Sequence, residues 1–283
     1  MSTTFDRLYI EPRRTDQPLA RPVRSRETET AQSPSMVLLV LLASAGIVVY
    51  AVFLLNPANR GDWLPYVMVI AAETVLVVHA LLAMWTVLAS GYDPRGFAFH
   101  HARDRLYGLE EILQLRTESS PQDWTMSLDG RSVTVDVFIT TYGEDLGTIR
   151  RTVGAALAMH GRHETWVLDD GRSDDVRALA AELGARYVRR LSSNGAKAGN
   201  LNHALSITRG ELFVVFDADF VPKPEFLYET VPFFATKDVA FVQTPQVYGN
   251  LHTVVSKGAG YMQAVFYRFI QPGRNRFNAA FCV

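Results

Sequence analysis

The chain has 283 residues, 48% of them hydrophobic, with a formal net charge of −1 and one cysteine. Near-neutral charge with no lysine-rich tract removes the electrostatic footprint of a nucleic-acid binder. The lone Cys282 excludes an internal disulfide framework and a cysteine-based zinc cluster.

Residues 1–35 are polar, rich in Arg, Ser, Thr, Pro and Glu, and lack apolar periodicity, so they read as a disordered tail. Residues 36–55 are apolar without a charge and residues 64–88 nearly so. Each reaches the roughly 20 residues that span a bilayer as a helix. The turn over 56–62, with Pro57 and Gly61, makes residues 36–90 a transmembrane hairpin. Arg7, Arg13, Arg14, Arg21, Arg24 and Arg26 precede it and Arg95, Arg103 and Arg105 follow it, whereas the turn carries only Arg60. By the positive-inside rule both ends face the cytoplasm, which predicts a multi-pass inner (plasma) membrane protein. Glu73 and His79 fall inside the second span, on different faces of a helix, and read as residues packing against further spans.

Leu106, Leu109, Ile112 and Leu113 predict an amphipathic helix over 100–116, either at the membrane interface or against the soluble part, and residues 117–130 a linker. The soluble domain, residues 133–283, then alternates. Strands are predicted over 133–140, 164–168, 185–189, 211–216 and 239–247, and helices over 145–160, 173–183, 196–209 and 224–235. That order predicts a doubly wound, mostly parallel α/β sheet. A further helix is predicted over 252–270, lying under the membrane or covering the sheet, and a last strand over 279–283.

Ligands of such sheets bind beyond the carboxyl ends of the strands. Those ends carry Thr140-Thr141-Tyr142-Gly143-Glu144, Asp169-Asp170-Gly171, Asp217-Ala218-Asp219 and Gln243-Thr244-Pro245-Gln246. Strand alternation is expected to point Asp217 and Asp219 the same way, with the small Ala218 leaving room for a ligand. Two carboxylates form a hard-oxygen site suited to Mg²⁺ or Mn²⁺ carrying a diphosphate. Asn194-Gly195-Ala196-Lys197-Ala198-Gly199-Asn200 adds glycines, a helix amino terminus and a cation, a phosphate-facing arrangement. Neither GxGxxG nor GxxxxGK[ST] is present, which disfavours dinucleotide-binding and P-loop readings.

In this order the motifs resemble those of the processive, membrane-bound family 2 glycosyltransferases, the cellulose synthase and hyaluronan synthase group. Residues 135–144 resemble the opening strand and TYNE-type turn, and Leu168-Asp169-Asp170-Gly171 the LDDG motif. Lys197-Ala198-Gly199-Asn200-Leu201-Asn202 is similar to KAGNxN, Asp217-Ala218-Asp219 to DxD, Gln243-Thr244-Pro245 to QTP, and Phe281-Cys282 to the start of FCG(S/T). The resemblance implies a GT-A domain in which Thr141, Tyr142 and Glu144 line the nucleotide pocket. It implies that one or both of Asp169 and Asp170 contact uracil and ribose, and that Lys197 faces the diphosphate. It places Asp217 on the nucleotide side, Asp219 on the metal, and Gln243 and Cys282 towards sugar and acceptor. The implied activity is inverting transfer from a UDP-sugar, UDP-glucose foremost, to a growing β-glucan such as cellulose. Membrane lipid and further synthase subunits are the other implied partners. A chitin- or hyaluronan-type synthase and a non-catalytic nucleotide-sugar-binding scaffold are the competing expectations.

Gly143 stands where the family usually has Asn, and Thr140 where it often has Pro. The TED base and QxxRW motifs are expected beyond residue 283, so no catalytic residue is assigned within the chain, and alone it is expected to bind donor without transferring it. Gln271-Pro272-Gly273-Arg274 mimics part of QxxRW but precedes Cys282 and lacks the aromatic residue.

Overall fold

The structure, a computed structural model, describes residues 32–108 and 120–281, which form two compact units. The first comprises residues 32–92 and 265–280, the second residues 93–108 and 120–264 with Phe281. Residues 1–31, 109–119 and 282–283, including most of the expected tail and Cys282, lie outside the described residues.

In the first unit, helices α1 (Pro34–Leu55) and α2 (Trp63–Ala89) are long and apolar enough to cross a membrane. Apolar side chains on every face suit lipid rather than water. Ser33 caps α1, accepting from the Met36 N–H, and Pro34 follows at a position that needs no donor. Tyr66 closes the hairpin by donating to the Leu54 carbonyl at 3.2 Å. His79 hydrogen-bonds within its own helix, to the Val75 carbonyl at 2.8 Å.

The Gln271–Asn275 helix, which contains the QPGR sequence, packs against α2 within this unit. A Cβ on Gly273 would overlap the Thr86 carbonyl oxygen and lie 2.9 Å from Thr86 Cγ2. Backbone cannot yield as a side-chain tip can, so Gly273→Ala is expected to cost about 1–3 kcal/mol. Gly258→Ala, at an open position in the Val254–Val265 helix, is expected to be neutral or stabilising. Thermal melts of both variants in detergent check this; equal melting temperatures would contradict it.

The second unit begins with α3 (Phe97–Arg103), where sequence periodicity predicted a helix over 100–116. The difference lies at Leu106, which is fully buried in the domain core, and at Tyr107, which bridges to Met126. Both leave the helix to pack on the domain. Residues 109–116 of that prediction lie outside the described residues. Part of the expected linker is a hairpin of β1 (Met126–Leu128) and β2 (Arg131–Val133). Its turn residues Asp129 and Gly130 both have positive φ, the geometry that makes Asp-Gly a hairpin signal.

The central sheet is parallel, in the order β5 (Arg186–Val188), β4 (Glu164–Asp169), β3 (Val135–Thr141), β6 (Leu212–Asp217). Val137 and Ile139 of β3 cluster with Ile149 and Val153 of α4 (Leu146–Leu157) and Leu179 of α5 (Asp174–Leu183). Phe138, between them in sequence, joins Leu168 and Ala204 of α6 (Ala196–Ile207) in a second cluster. Alternation along β3 therefore separates two apolar faces, each covered by helix.

Four further expectations differ. The helix over 224–235 is a short α7 (Phe226–Thr230) followed by a 3₁₀ segment, Val231–Ala235, because Pro232 has no N–H to continue the α-helical bonding. Residues 239–247 form no strand: Phe241 and Val247 are exposed, Pro245 lacks a donor, and Gln243 Nε2 bonds the neighbouring Thr244 carbonyl. The helix over 252–270 is α-helical at Val254–Val265 and widens to a π-turn at Phe266–Ile270. Residues 279–281 are not a strand, and Ala279 N–H bonds back to the Arg274 carbonyl.

Candidate functional site

The register fixes the geometry of the rim. Thr140 of β3 lies opposite Asp217 of β6, and Thr141 opposite Asp169 of β4. Thr140 Oγ1 donates to Asp217 Oδ1 at 3.2 Å, and Thr141 Oγ1 to Asp169 Oδ1 at 3.3 Å. Consecutive residues point to opposite faces, so the two aspartates do not share one crevice. Asp217 follows Phe216, whose ring joins the α4–α5 cluster, and so it faces the α6 side. Asp169 follows Leu168, which packs on the α6 side, and so it faces the other way.

Asp169 is 1% exposed and fully engaged. Besides Thr141, it accepts from the backbone N–H groups of Arg172 at 3.0 Å and Ser173 at 2.7 Å, and from the Tyr187 hydroxyl at 2.7 Å. Burial and the bond to Asp169 hold the Tyr187 phenol above its usual range, so it remains a donor. This corrects the expectation that Asp169 converges with Asp217 on a ligand. Its carboxylate shapes the turn into α5.

Asp170 turns to the α6 side and forms a bidentate pair with Arg190, Nε to Oδ1 and Nη2 to Oδ2 both at 2.6 Å. Each side chain is only 8% exposed. Arg190 also donates to the carbonyls of Asn194 at 2.6 Å and Ala196 at 2.8 Å. The bond to Asp170 raises its already high pKa. One guanidinium thus ties the end of β4 to the loop that launches α6. Sequence reasoning missed Arg190; an arginine after a strand is ordinary, and its partner is 20 residues away.

That loop presents Lys197 at the start of α6. Gly195 and Ala196 both take positive φ ahead of it, and Asn200 anchors the same turn by donating to the Leu168 carbonyl at 3.1 Å. Lys197 Nζ forms an ion pair with Asp217 Oδ1, their side chains 50% and 40% exposed. Thr140, Asp170, Lys197 and Asp217 are therefore brought to one side of the rim.

Strand β6 ends at Asp217, and a turn closed by Phe220 N–H to the Asp217 carbonyl at 3.0 Å takes over. Asp219 sits in that turn, exposed, with no side-chain hydrogen bond or ion pair among the described residues. Its direction is set by the turn and not by strand alternation. Ala218 is small for a different reason from the one expected: it is 1% exposed in the core, and its carbonyl accepts from Thr152 Oγ1 of α4 at 2.6 Å.

Beyond β3, Tyr142 is 74% exposed and its N–H donates to Glu144 Oε2 at 2.7 Å. Gly143 has a φ of 106°, a conformation that side-chain-bearing residues rarely adopt, which accounts for glycine at this turn. A Cβ on Gly171 would lie 3.3 Å from the Gly143 nitrogen, so the two strand-end loops touch there. Gln243 lies in an irregular segment, and Cys282 is outside the described residues.

Among the described residues no group of three or more His, Cys, Asp or Glu side chains gathers to hold a metal. The donor set still fits Mg²⁺ or Mn²⁺, because such ions are often held by one or two carboxylates together with substrate phosphates. Asp217 at the end of β6 and Asp219 in the turn that follows are two carboxylates available to such an ion.

A parallel sheet with helices on both faces, and with acidic and basic side chains at its carboxyl rim, has the architecture of a nucleotide-sugar transferase domain of the GT-A type. Residues 136–282 match the family model for glycosyl transferase family 2, and the chain belongs to that family. It is 40% identical over 182 residues to the "Cellulose synthase catalytic subunit [UDP-forming]" of Pseudomonas fluorescens (strain SBW25), covering 59% of this chain and 22% of that protein. It is 38% identical over 161 residues to "Cellulose synthase 2" of Novacetimonas hansenii, covering 52% of this chain and 10% of that protein. The chain thus spans about a fifth or less of the length of these relatives. A solved structure of glucosyl-3-phosphoglycerate synthase from Mycobacterium tuberculosis, in complex with Mn²⁺, UDP and glucosyl-3-phosphoglycerate, is 28% identical, covering 37% of this chain and 40% of its own. Its TM-score of 0.32 is too low to bear on the site.

Proposed function

We propose that this chain is the donor-binding part of a membrane-bound inverting glycosyltransferase that uses UDP-glucose to extend a β-glucan such as cellulose. The observation that carries this reading is the 40% identity to a protein named as a UDP-forming cellulose synthase catalytic subunit. The rim supports it chemically, since Lys197, Asp217 and Asp219 supply a cation for a diphosphate and carboxylates for a divalent ion. The hairpin anchors the domain, and the arginines flanking it favour a cytoplasmic rim.

In the reaction, an acceptor hydroxyl attacks the anomeric carbon from the face opposite the nucleotide. A glycosidic C–O bond forms, the bond to the diphosphate breaks, and the hydroxyl proton passes to a general base. Lys197 stabilises the departing diphosphate, and Asp170, through Arg190, keeps the Lys197 loop in place. A bound Mg²⁺ or Mn²⁺ would neutralise charge on the leaving phosphate, held by Asp219 and Asp217.

Calorimetry on the full chain in detergent tests the reading. UDP with Mn²⁺ should bind, UDP-glucose should compete for the same site, and Asp219→Asn should weaken metal-dependent binding at least about tenfold, as loss of a charged ligand implies. Stronger competition by UDP-N-acetylglucosamine than by UDP-glucose would overturn the choice of sugar. Unchanged affinity in Asp219→Asn would remove Asp219 from the metal site.

A further inference from the structure

Two ion pairs stand on the same side of the rim, and they differ in kind. Asp170 and Arg190 are each 8% exposed, bidentate, and locked by two further bonds from Arg190 to backbone carbonyls. Lys197 and Asp217 are 50% and 40% exposed and joined through a single carboxylate oxygen. An exposed single-contact pair contributes little net stability and opens readily, whereas a buried bidentate pair does not.

The exchangeable pair occupies the carboxylate that a divalent ion would use. Asp217 Oδ1 accepts from both Lys197 Nζ and Thr140 Oγ1, which fills that oxygen. Contacts from Arg190 to the Ala196 carbonyl and from Asn200 to the Leu168 carbonyl hold the start of α6 in place, so Lys197 stays within side-chain reach of Asp217. A bare cation arriving at Asp217 therefore meets a resident positive charge. A diphosphate offers that ammonium other oxygens and frees the carboxylate.

We infer that Lys197 is a resident counter-ion of Asp217 which makes cation and nucleotide enter the site together. The inference rests on the donor-site reading above and deepens it. Free Mg²⁺ or Mn²⁺ is excluded from the rim, and the nucleotide diphosphate, by drawing Lys197 away, creates the cation site that it shares. Thermodynamic linkage requires the reverse as well: the cation, by claiming Asp217, releases Lys197 to the diphosphate. Lys197 thus acts as a selectivity residue for the cation–nucleotide pair, besides contacting the donor.

This predicts opposite signs for one substitution. Lys197→Met should bind Mn²⁺ alone about tenfold or more tightly than the wild-type chain, because a like charge a few ångströms from a divalent ion is removed. The same variant should bind UDP in the presence of Mn²⁺ more weakly, and the mutual enhancement between Mn²⁺ and UDP, the ratio of Mn²⁺ affinity with UDP bound to Mn²⁺ affinity alone, should shrink. Lys197→Arg keeps a cation and should still exclude Mn²⁺ alone. The measurement is free Mn²⁺ by electron paramagnetic resonance on the full chain in detergent, with Mn²⁺ alone and with UDP present, corrected for Mn²⁺–UDP association in solution. Mn²⁺-alone affinity that is unchanged or lower in Lys197→Met, with UDP–Mn²⁺ binding retained by the wild type, would overturn the counter-ion role and leave the donor site standing. Absence of UDP–Mn²⁺ binding by the wild type would overturn both.

Discussion

Arg190→Met should be the most damaging single substitution in the soluble domain. Removing one partner of a buried ion pair strands the other, at a cost of about 3–5 kcal/mol. Here Asp170 would keep a carboxylate that is 8% exposed with its guanidinium gone, and the Asn194 and Ala196 carbonyls would lose a shared donor. For a domain of this size the loss corresponds to a melting temperature lower by roughly 10 °C. Arg190→Lys should recover only part of it, since an ammonium cannot span both carboxylate oxygens and two carbonyls in the planar geometry of the original. Adding Asp170→Asn to Arg190→Met should restore some stability by removing the stranded charge. Thermal melts of the three variants in detergent decide the matter, and a wild-type melting temperature in Arg190→Met would refute the assignment of Arg190 as the tie.

Gly199→Ala comes second, and its sign is the informative part. Within a helix, replacing Gly by Ala ordinarily stabilises by about 1 kcal/mol. Gly199 lies in α6, yet its Cβ would overlap the Asn194 carbonyl oxygen and lie 2.6 Å from Arg190 Nη1. Neither neighbour can move freely, one being backbone and the other held by four hydrogen bonds. The loop over 191–195 must therefore back away from α6. We expect a net loss of about 1–3 kcal/mol and a fall of at least about tenfold in UDP affinity with Mn²⁺, because Lys197 moves with the loop. A Gly199→Ala chain that melts higher and binds UDP as well as wild type would show that the loop does not depend on this close approach.

Much of the architecture could be read before any coordinates. The apolar runs around Val137–Ile139 and Val214–Val215 are β-branched, short and bounded by turn residues, so they reveal buried parallel strands, and the acidic residues that follow them mark the rim. Alternation within one strand relates neighbours of Asp217 to one another but carries no information about the face of Asp169 in another strand. That depends on register, which puts Leu168 and Phe216 on opposite faces and so separates the two aspartates. Residues 239–247 are rich in Val and Phe, yet propensity cannot supply a neighbouring strand, and among the described residues the segment has none. The β1–β2 hairpin was concealed by strands of three residues each, too short for alternation, although Asp129-Gly130 was its signal. Arg190 was illegible because its role depends on where Asp170, Asn194 and Ala196 meet in space.

The strand order has a consequence for how the protein comes into being. On the ribosome, β3, β4 and β5 are complete with α4 and α5 between them before β6 has been synthesised, and β6 must then insert against β3. Thr140 and Asp217 are separated by 77 residues. Contacts over so long a stretch form late, because the loop they close has to be ordered first. The growing chain therefore exposes one flank of β3 as an open edge, a seam where nascent chains can stick to one another until β6 arrives. Amino acid changes that slow the docking of β6, at Val214 or Phe216 for example, should therefore lower the yield of folded protein more than its final stability.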